Sequence, residues 1–124
     1  MKGESPVING DGNYSRDCTY IDNVIQANLL SLVTKNEKAI NTVYNVAYGD
    51  RNTLNDLMTY LKDYLSEFDS KISNVEVVYG PNRAGDIPHS HASVDKAKEL
   101  LNYNPQFSLQ RGLKEAVNWY WKNL

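Results

Sequence analysis

The stretch GPNRAGDIPHSHASVDKAKELL, residues 80 to 101, places an arginine and an aspartate three positions apart between a glycine and a proline. Arg83 carries a guanidinium group, whose planar fork of N–H donors matches the oxygens of a phosphate. Asp86 carries a carboxylate, which accepts hydrogen bonds from hydroxyl groups such as those of a ribose. The pair indicates a clamp for an anionic ligand, although an ordinary surface loop is the alternative.

A second arginine, Arg16, lies in the segment GDGNYSRDCTYID at residues 10–22, directly before a predicted helix. Two glycines bend the chain there, and a helix N-terminus adds backbone donors and a positive dipole end that favour anions. Arg16 is therefore a candidate for the other half of a phosphate clamp. The alternative is a surface ion pair with Asp17 or Asp22, which the spacing alone slightly favours.

Two histidines, His89 and His91, follow Asp86 within the same stretch, and Asp95 comes soon after them. Such a group raises the possibility of a metal site. Histidines two residues apart on an irregular segment are a weak ligand signal, however, so no metal is expected. Cys18 is the only cysteine, which rules out an internal disulfide and a cysteine-based zinc site.

Motifs for catalysis are missing from the sequence. It contains no Gly-x-Gly-x-x-Gly between a strand and a helix and no phosphate-loop lysine motif. No serine, histidine and acid stand out as a group, and Cys18 has no obvious activating partner. The residues therefore predict a chain that holds a ligand and does not itself transform it.

The composition fits one soluble domain. Of the 124 residues, 41% are hydrophobic and 23% are charged, and the formal net charge is −2. This near-balance excludes non-specific nucleic-acid binding, which needs a clear cationic excess. No apolar run approaches the ~18 residues needed to span a bilayer, and none follows Lys2 as in a signal peptide. We expect a cytoplasmic protein without nucleic-acid or membrane partners.

Apolar periodicity and turn residues divide the chain into short strands and longer helices, with no internal repeat. Strands are predicted at 6–10, 42–48 and 75–79, and helices at 20–34, 53–68, 93–103 and 108–124. Thr19 with Asp22, and Thr53 with Asp56, have the spacing of capping boxes at two helix starts. Gly112, inside the last helix, indicates that another group packs close to its backbone.

The first helix and the strand that follows it present more apolar surface than the remaining elements can cover. Segment 42–48, TVYNVAY, has the composition of a strand buried on both faces of a parallel sheet, yet the chain offers only two other short strands. The apolar stripe of helix 20–34 consists of Ile21, Val24, Ile25, Leu29 and Leu32.

Four blocks of the sequence resemble, in order, the C-terminal part of extended short-chain dehydrogenases/reductases. They are GDGNYSRDCTYIDNVIQANLL, YNVAYGDRNTLNDL, NRAGDIPHSHASVDKAKELLNYNP and LQRGLKEAVNWY. The best match is the nucleotide-sugar 4-epimerases that act on UDP-hexoses, particularly UDP-N-acetylglucosamine. The resemblance implies a helix-rich α/β fragment of a Rossmann-type enzyme, with about four helices and two or three short strands. Residues 20–48 would then pack on a missing NAD-binding domain.

The resemblance also implies roles for individual residues. Arg16 and Arg83 resemble the two arginines that grip the UDP diphosphate, and Asp86 resembles the carboxylate that bonds the ribose hydroxyls. Ser90 falls where the family has a gatekeeper beside the hexose, and a small residue there leaves room for an N-acetyl group. NAD would be bound by the missing N-terminal domain, which would also carry the catalytic Tyr-x-x-x-Lys, so no catalytic residue is assigned to this chain.

The function implied is therefore the UDP-sugar-binding part of an NAD-dependent 4-epimerase of polysaccharide biosynthesis, whose parent is expected to be a homodimer. Two alternatives remain open at the level of sequence. One is a nucleotide-sugar dehydratase or decarboxylase of the same family. The other is a non-catalytic binding or interaction module, because the chain alone is expected to be inactive. Apolar surface from residues 20–48 is expected to cause self-association.

Overall fold

The chain, described by a computed structural model over residues 4–124, is rich in helix and contains only short strands. In chain order the elements are β1 (Val7–Asn9), β2 (Ser15–Arg16), α1 (Ile21–Val33), β3 (Asn52–Thr53), α2 (Leu54–Ser66), β4 (Val78–Gly80), α3 (Asp95–Leu101) and α4 (Leu109–Asn123). Two 3-10 helices, Glu37–Ala39 and Ser70–Asn74, lie between them. The predicted helix-rich α/β architecture is confirmed, and all four predicted helices are present.

The strands form two small sheets. β1 and β4 pair in parallel, with Val7 opposite Val78, so two of the predicted strands are confirmed. β2 and β3 pair antiparallel, with Ser15 opposite Thr53. Because these ladders are only two or three residues long, the helices and the side chains between them must supply most of the packing.

The prediction of a strand at 42–48 is wrong for the described chain. The segment forms no ladder, and Val43 is 84% exposed, so the segment is not buried on both faces. Ala47 is buried, and its carbonyl accepts a 2.8 Å hydrogen bond from the Tyr103 hydroxyl, while Tyr44 and Val46 are only partly buried against the core. A parallel strand needs a neighbour to complete its hydrogen bonds, and residues 4–124 offer none here.

Helix α1 is packed by the face opposite its apolar stripe. Four of the five residues of the predicted stripe are exposed, with Leu29 at 56% and Leu32 at 81%, whereas Asn23 and Ala27 are buried. Ala27 joins a small core with Ala47, Val94, Ala97 and Tyr103. The periodicity therefore predicted the helix correctly, but the stripe does not mark the face that this chain buries.

The buried side chain of Asn23 holds α1 in place through hydrogen bonds. Its amide nitrogen donates to the carbonyl of Phe107 at 2.7 Å, and its oxygen accepts from the backbone N–H groups of Gln106 and Phe107 at 3.0 and 3.1 Å. Asn23 is only 1% exposed, so these bonds satisfy a buried polar group and join α1 to the turn before α4.

Helix α4 begins at the N-cap Ser108 and packs closely against the start of α1. A Cβ atom added at Gly112 would lie 2.7 Å from side-chain atoms of Tyr20. This confirms the prediction that another group approaches the backbone at Gly112. Of the helices in residues 4–124, none is long and apolar enough to cross a membrane.

Candidate functional site

A tight turn carries the two predicted ligand-binding residues Arg83 and Asp86. The N–H of Asp86 donates to the carbonyl of Arg83 at 3.2 Å, and Gly85 has φ +77°. A positive φ at the third position of such a turn is accessible to glycine at little cost. The turn therefore brings the arginine and the aspartate to the same side of the molecule, as their spacing predicted.

The segment after the turn runs alongside β2, which carries the other predicted arginine. The N–H of Ser15 donates to the carbonyl of Pro88 at 2.9 Å, and the N–H of Ser90 donates to the carbonyl of Ser15 at 3.1 Å. Ser15 and His89 thus form a parallel bridge between segments that are far apart in sequence. This bridge is what brings Arg16 next to the turn.

Arg16 is paired with Asp86. Its Nη2 lies 2.5 Å from Oδ1 of Asp86, and its Nη1 donates to the carbonyl of Ser15 at 2.9 Å. The two side chains are 33% and 27% exposed, so the pair faces both the protein and the solvent. The alternative prediction, an ion pair of Arg16 with Asp17 or Asp22, is wrong, because within residues 4–124 Arg16 pairs with Asp86, and Asp17 accepts from the N–H of Gly49.

All four residues predicted to bind a nucleotide sugar line one open cleft of about 380 Å³. It is formed by Arg16, Arg83, Ala84, Gly85, Asp86, Ile87 and Ser90. Two guanidinium groups and one carboxylate leave a net positive charge in the cleft, which suits an anion. Within residues 4–124 the side chain of Arg83 makes no hydrogen bond or ion pair, so its five N–H donors are available to a ligand.

The two histidines lie on the side of β2 away from the cleft. Nδ1 of His89 is 3.0 Å from the hydroxyl of Ser15, and Nδ1 of His91 is 3.5 Å from a carboxylate oxygen of Asp17. No group of three or more His, Cys, Asp or Glu side chains that could hold a metal ion occurs among the described residues. Neither histidine contact was predicted from the sequence. The two histidines are two positions apart in the sequence, and so are their partners, Ser15 and Asp17.

Cys18 is poorly suited to act as a nucleophile. Burial and the neighbouring Asp17 raise the pKa of its thiol, and Arg16 opposes this only in part. The thiolate is the reactive form, so a raised pKa leaves the group unreactive at neutral pH. The site therefore offers groups that bind and orient a ligand.

A larger cavity than this cleft lies elsewhere. It has a volume of about 690 Å³, lies against α2, the second 3-10 helix and α4, and includes Met58, Leu61, Ile72 and Trp121 in its lining. Its walls are mainly apolar, and none of the four predicted residues reaches it. The charged residues of this cavity, Glu4, Lys62, Asp69 and Lys71, balance in sign, whereas the cleft has two guanidinium groups and one carboxylate and is therefore the better candidate for binding an anion.

Comparison with known proteins gives consistent relatives for nearly the whole chain, although no protein-family model matches it. A putative UDP-glucose 4-epimerase of Methanocaldococcus jannaschii is 32% identical over 123 residues, which are 99% of this chain and 36% of that protein. The crystal structure of a UDP-glucose 4-epimerase from Thermotoga maritima, with UDP-glucose, is 38% identical and superimposes with a TM-score of 0.83. The superposition covers 98% of this chain and 36% of the Thermotoga maritima chain.

A UDP-N-acetylglucosamine 4-epimerase from Methanobrevibacter ruminantium, solved in complex with UDP-N-acetylmuramic acid, is 35% identical, with a TM-score of 0.83. The superposition covers 98% of this chain and 36% of the Methanobrevibacter ruminantium chain. Further relatives are named as UDP-glucuronate 4-epimerases and as a UDP-N-acetyl-alpha-D-glucosaminuronate decarboxylase. The chain therefore spans about a third of the length of the relatives it matches. Its relatives and structural neighbours are UDP-sugar 4-epimerases and decarboxylases of the extended short-chain dehydrogenase/reductase family.

Proposed function

We propose that this chain is the sugar-nucleotide-binding part of an NAD-dependent 4-epimerase that acts on UDP-hexoses, with UDP-N-acetylglucosamine or UDP-N-acetylgalactosamine as substrate. The observation that carries the proposal is the convergence of Arg16, Arg83, Asp86 and Ser90 on one cleft. These residues come from two segments about seventy positions apart, and no local structure requires them to meet. Relatives named as UDP-sugar 4-epimerases support the reaction class.

Each side chain has a distinct task in this proposal. Arg83, which is exposed and has no partner in the described chain, binds the diphosphate through its guanidinium fork. Arg16 reaches the same diphosphate from β2. The Oδ2 atom of Asp86 makes no hydrogen bond within residues 4–124 and accepts from a ribose hydroxyl, while Oδ1 stays with Arg16. Ser90 leaves room for an N-acetyl group because its side chain is small.

The residues present do not fit a dinucleotide. The parallel ladder in the described chain consists of β1 and β4, three residues each, and the sequence has no Gly-x-Gly-x-x-Gly after either strand. NAD would therefore be held by another part of a longer protein, where it supplies the transient oxidation at C4 of the hexose. The contribution of this chain is to use binding energy from the nucleotide to hold the sugar in place.

The exposed stripe of α1 supports a second part of the proposal, in which residues 20–48 pack on the remainder of that longer protein. Leu29, Leu32 and Val43 are all more than half exposed. Large apolar side chains exposed in this number are expected where another protein surface covers them. Self-association of the isolated chain is the expected consequence.

The test is calorimetric titration of the 124-residue chain with UDP-N-acetylglucosamine. Arg83→Ala should weaken binding by about one to two orders of magnitude, because a hydrogen bond to a charged group contributes about 1.5–3 kcal/mol. Arg51→Ala is the matched control, since Arg51 is exposed and does not line the cleft. Equal affinities of the wild type and the Arg83 variant would contradict the clamp.

A parallel titration with UDP-glucose addresses the substrate. Room beside Ser90 should allow the N-acetylated sugar to bind at least as well as the unacetylated one, and clear preference for UDP-glucose would contradict that assignment. A sugar-nucleotide decarboxylase is the second candidate, because one relative at 28% identity carries that name. Both reactions need the same nucleotide clamp, so the product formed by the longer protein distinguishes them.

A further inference from the structure

The bridge between β2 and the segment 88–91 sorts its side chains onto two sides. On one side Ser15 contacts His89 and Asp17 contacts His91. On the other side Arg16 and Ser90 line the cleft. This alternation follows from extended backbone, in which successive side chains point to opposite faces. The register of the bridge therefore decides which residues face the cleft.

Backbone hydrogen bonds alone specify this register weakly. The bridge consists of two of them, both made by Ser15, and every residue except proline offers the same N–H and C=O groups. A slip of residues 88–90 by one position would turn Ser90 away from the cleft, because the side-chain period of a strand is two, whereas Arg16 is held by the pairing of β2 with β3. Something other than the backbone must therefore fix the alignment.

The contact between Ser15 and His89 is suited to that task. Ser15 is only 6% exposed, and the hydrogen bond of its hydroxyl in the described chain is the one to His89 Nδ1. A buried hydroxyl without a partner is costly, so alignments that separate the two side chains are disfavoured. His89 lies on the segment that follows the Arg83–Asp86 turn, so the contact with Ser15 holds that segment beside β2.

We propose that His89 is a positioning residue of the sugar-nucleotide site, an inference that rests on the function proposed above. Its imidazole fixes the register of residues 88–90 against Ser15. In that register Arg16 meets Asp86, and both arginines and Ser90 face one cleft. His89 does not line the cleft, so its effect on a ligand is indirect.

His91 provides a matched comparison within the same segment. Its partner Asp17 is 5% exposed, but that carboxylate already accepts from the N–H of Gly49 through both oxygens. Loss of His91 therefore leaves Asp17 with a hydrogen-bond donor, whereas loss of His89 leaves the buried Ser15 hydroxyl without its partner. The two histidines should differ in their effect on the cleft.

The experiment measures register and binding separately in the 124-residue chain. Amide hydrogen exchange of Ser90, whose N–H bonds to Ser15, reports the register without any ligand. Calorimetry with UDP reports the cleft. We expect His89→Ala to speed exchange at Ser90 and to weaken UDP binding by about three- to tenfold, because only the aligned fraction of molecules binds. His91→Ala should change neither quantity.

Two further variants separate positioning from general loss of stability. His89→Asn keeps a polar group near the place of Nδ1 and should restore both readouts to within about twofold of the wild type. Ser15→Ala should resemble His89→Ala, and the double variant should be no worse than either, since both remove one contact. Unchanged Ser90 exchange in His89→Ala, an equal loss in His91→Ala, or additive losses in the double variant would overturn the inference.

Failure of the proposed function would look different. If the wild-type chain bound no UDP, the proposed ligand would be wrong, while the exchange measurements would still decide whether His89 fixes the register.

Discussion

Helices α1 and α2 have thirteen residues each, and a threonine followed three positions later by an aspartate occurs at the start of both. The two helices nevertheless begin in different ways. Thr53 and Asp56 form a complete capping box, in which the Thr53 hydroxyl accepts from the N–H of Asp56 and the Asp56 carboxylate accepts from the N–H of Thr53. Thr19 and Asp22 have the same spacing, but α1 has Tyr20 as its N-cap and no side-chain cap. The predicted capping box at Thr19 is therefore wrong.

The difference teaches that a capping motif acts only if the chain enters the helix at the right residue. At α1 the entry is set by Tyr20, whose ring centroid lies 4.9 Å from that of Phe107 at an interplanar angle of 32° and whose side chain lies against Gly112. The helix consequently starts one residue later, and Asp22 takes the second helical position, out of place for a capping box. At α2 the β2–β3 ladder holds Thr53 in extended backbone at the N-cap position, so the tertiary contacts agree with the local motif.

The two helices also differ in what holds them to the rest of the chain. None of the residues of α2 is fully buried, whereas α1 buries a polar and a small residue, Asn23 and Ala27. Most of its large apolar residues remain exposed and Leu30 is only partly buried, so α1 depends strongly on hydrogen bonds at a few positions. The following predictions test this contrast, starting with the largest expected effect.

Replacing Asn23 should be the most damaging change in α1. Asn23→Ala leaves two backbone N–H groups and one carbonyl without their partners, and we expect the free energy of unfolding to fall by about 2–4 kcal/mol. Asn28→Ala is the control, because Asn28 is an exposed residue of the same helix. Denaturant unfolding measures both. Similar values for the two variants would show that the contacts of Asn23 contribute little.

Removing the cap of α2 should have an intermediate effect. Thr53→Ala should lower the free energy of unfolding by about 1 kcal/mol, whereas Thr19→Ala should change it little, since Thr19 does not cap. Hydrogen bonds from Thr53 lower the pKa of Asp56 below its usual value of 3.8. This contribution is present above pH 3.8 and is lost as the pH falls through the lowered pKa, so the difference between wild type and Thr53→Ala should shrink in acid. Unfolding curves at neutral and acidic pH test this, and equal losses from the two threonines would refute the contrast.

Changing the exposed stripe should cost least. Leu32→Lys, at a position that is 81% exposed, should alter the free energy of unfolding by less than about 0.5 kcal/mol and should reduce self-association in sedimentation. Leu30→Lys is the comparison, because Leu30 packs against the core, and burying an unpaired charge there should destabilise the chain clearly. If Leu32→Lys were as harmful as Leu30→Lys, or left association unchanged, the proposed contact surface would have to lie elsewhere.

The candidate site shows how far residue types and spacing reach. Arg83 and Asp86 lie three positions apart on a turn that contains a glycine, and this local arrangement could be predicted. The pairing of Arg16 with Asp86 could not, because the two residues are seventy positions apart and several nearer carboxylates compete for the arginine. The register that selects Asp86 involves His89, whose spacing in sequence pointed instead to a weak metal signal.

The amino-acid sequence by itself determined the approximate positions of the helices, the capping box of α2, the close approach at Gly112 and three candidate ligand-binding residues, Arg16, Arg83 and Asp86. These features depend on periodicity, turn chemistry and residue type, which act over a few positions. Only the tertiary structure decided which face of α1 is buried, where α1 begins and which carboxylate Arg16 contacts. Each of these depends on segments far apart in the chain, and the free energy of such contacts exists only once the segments have met.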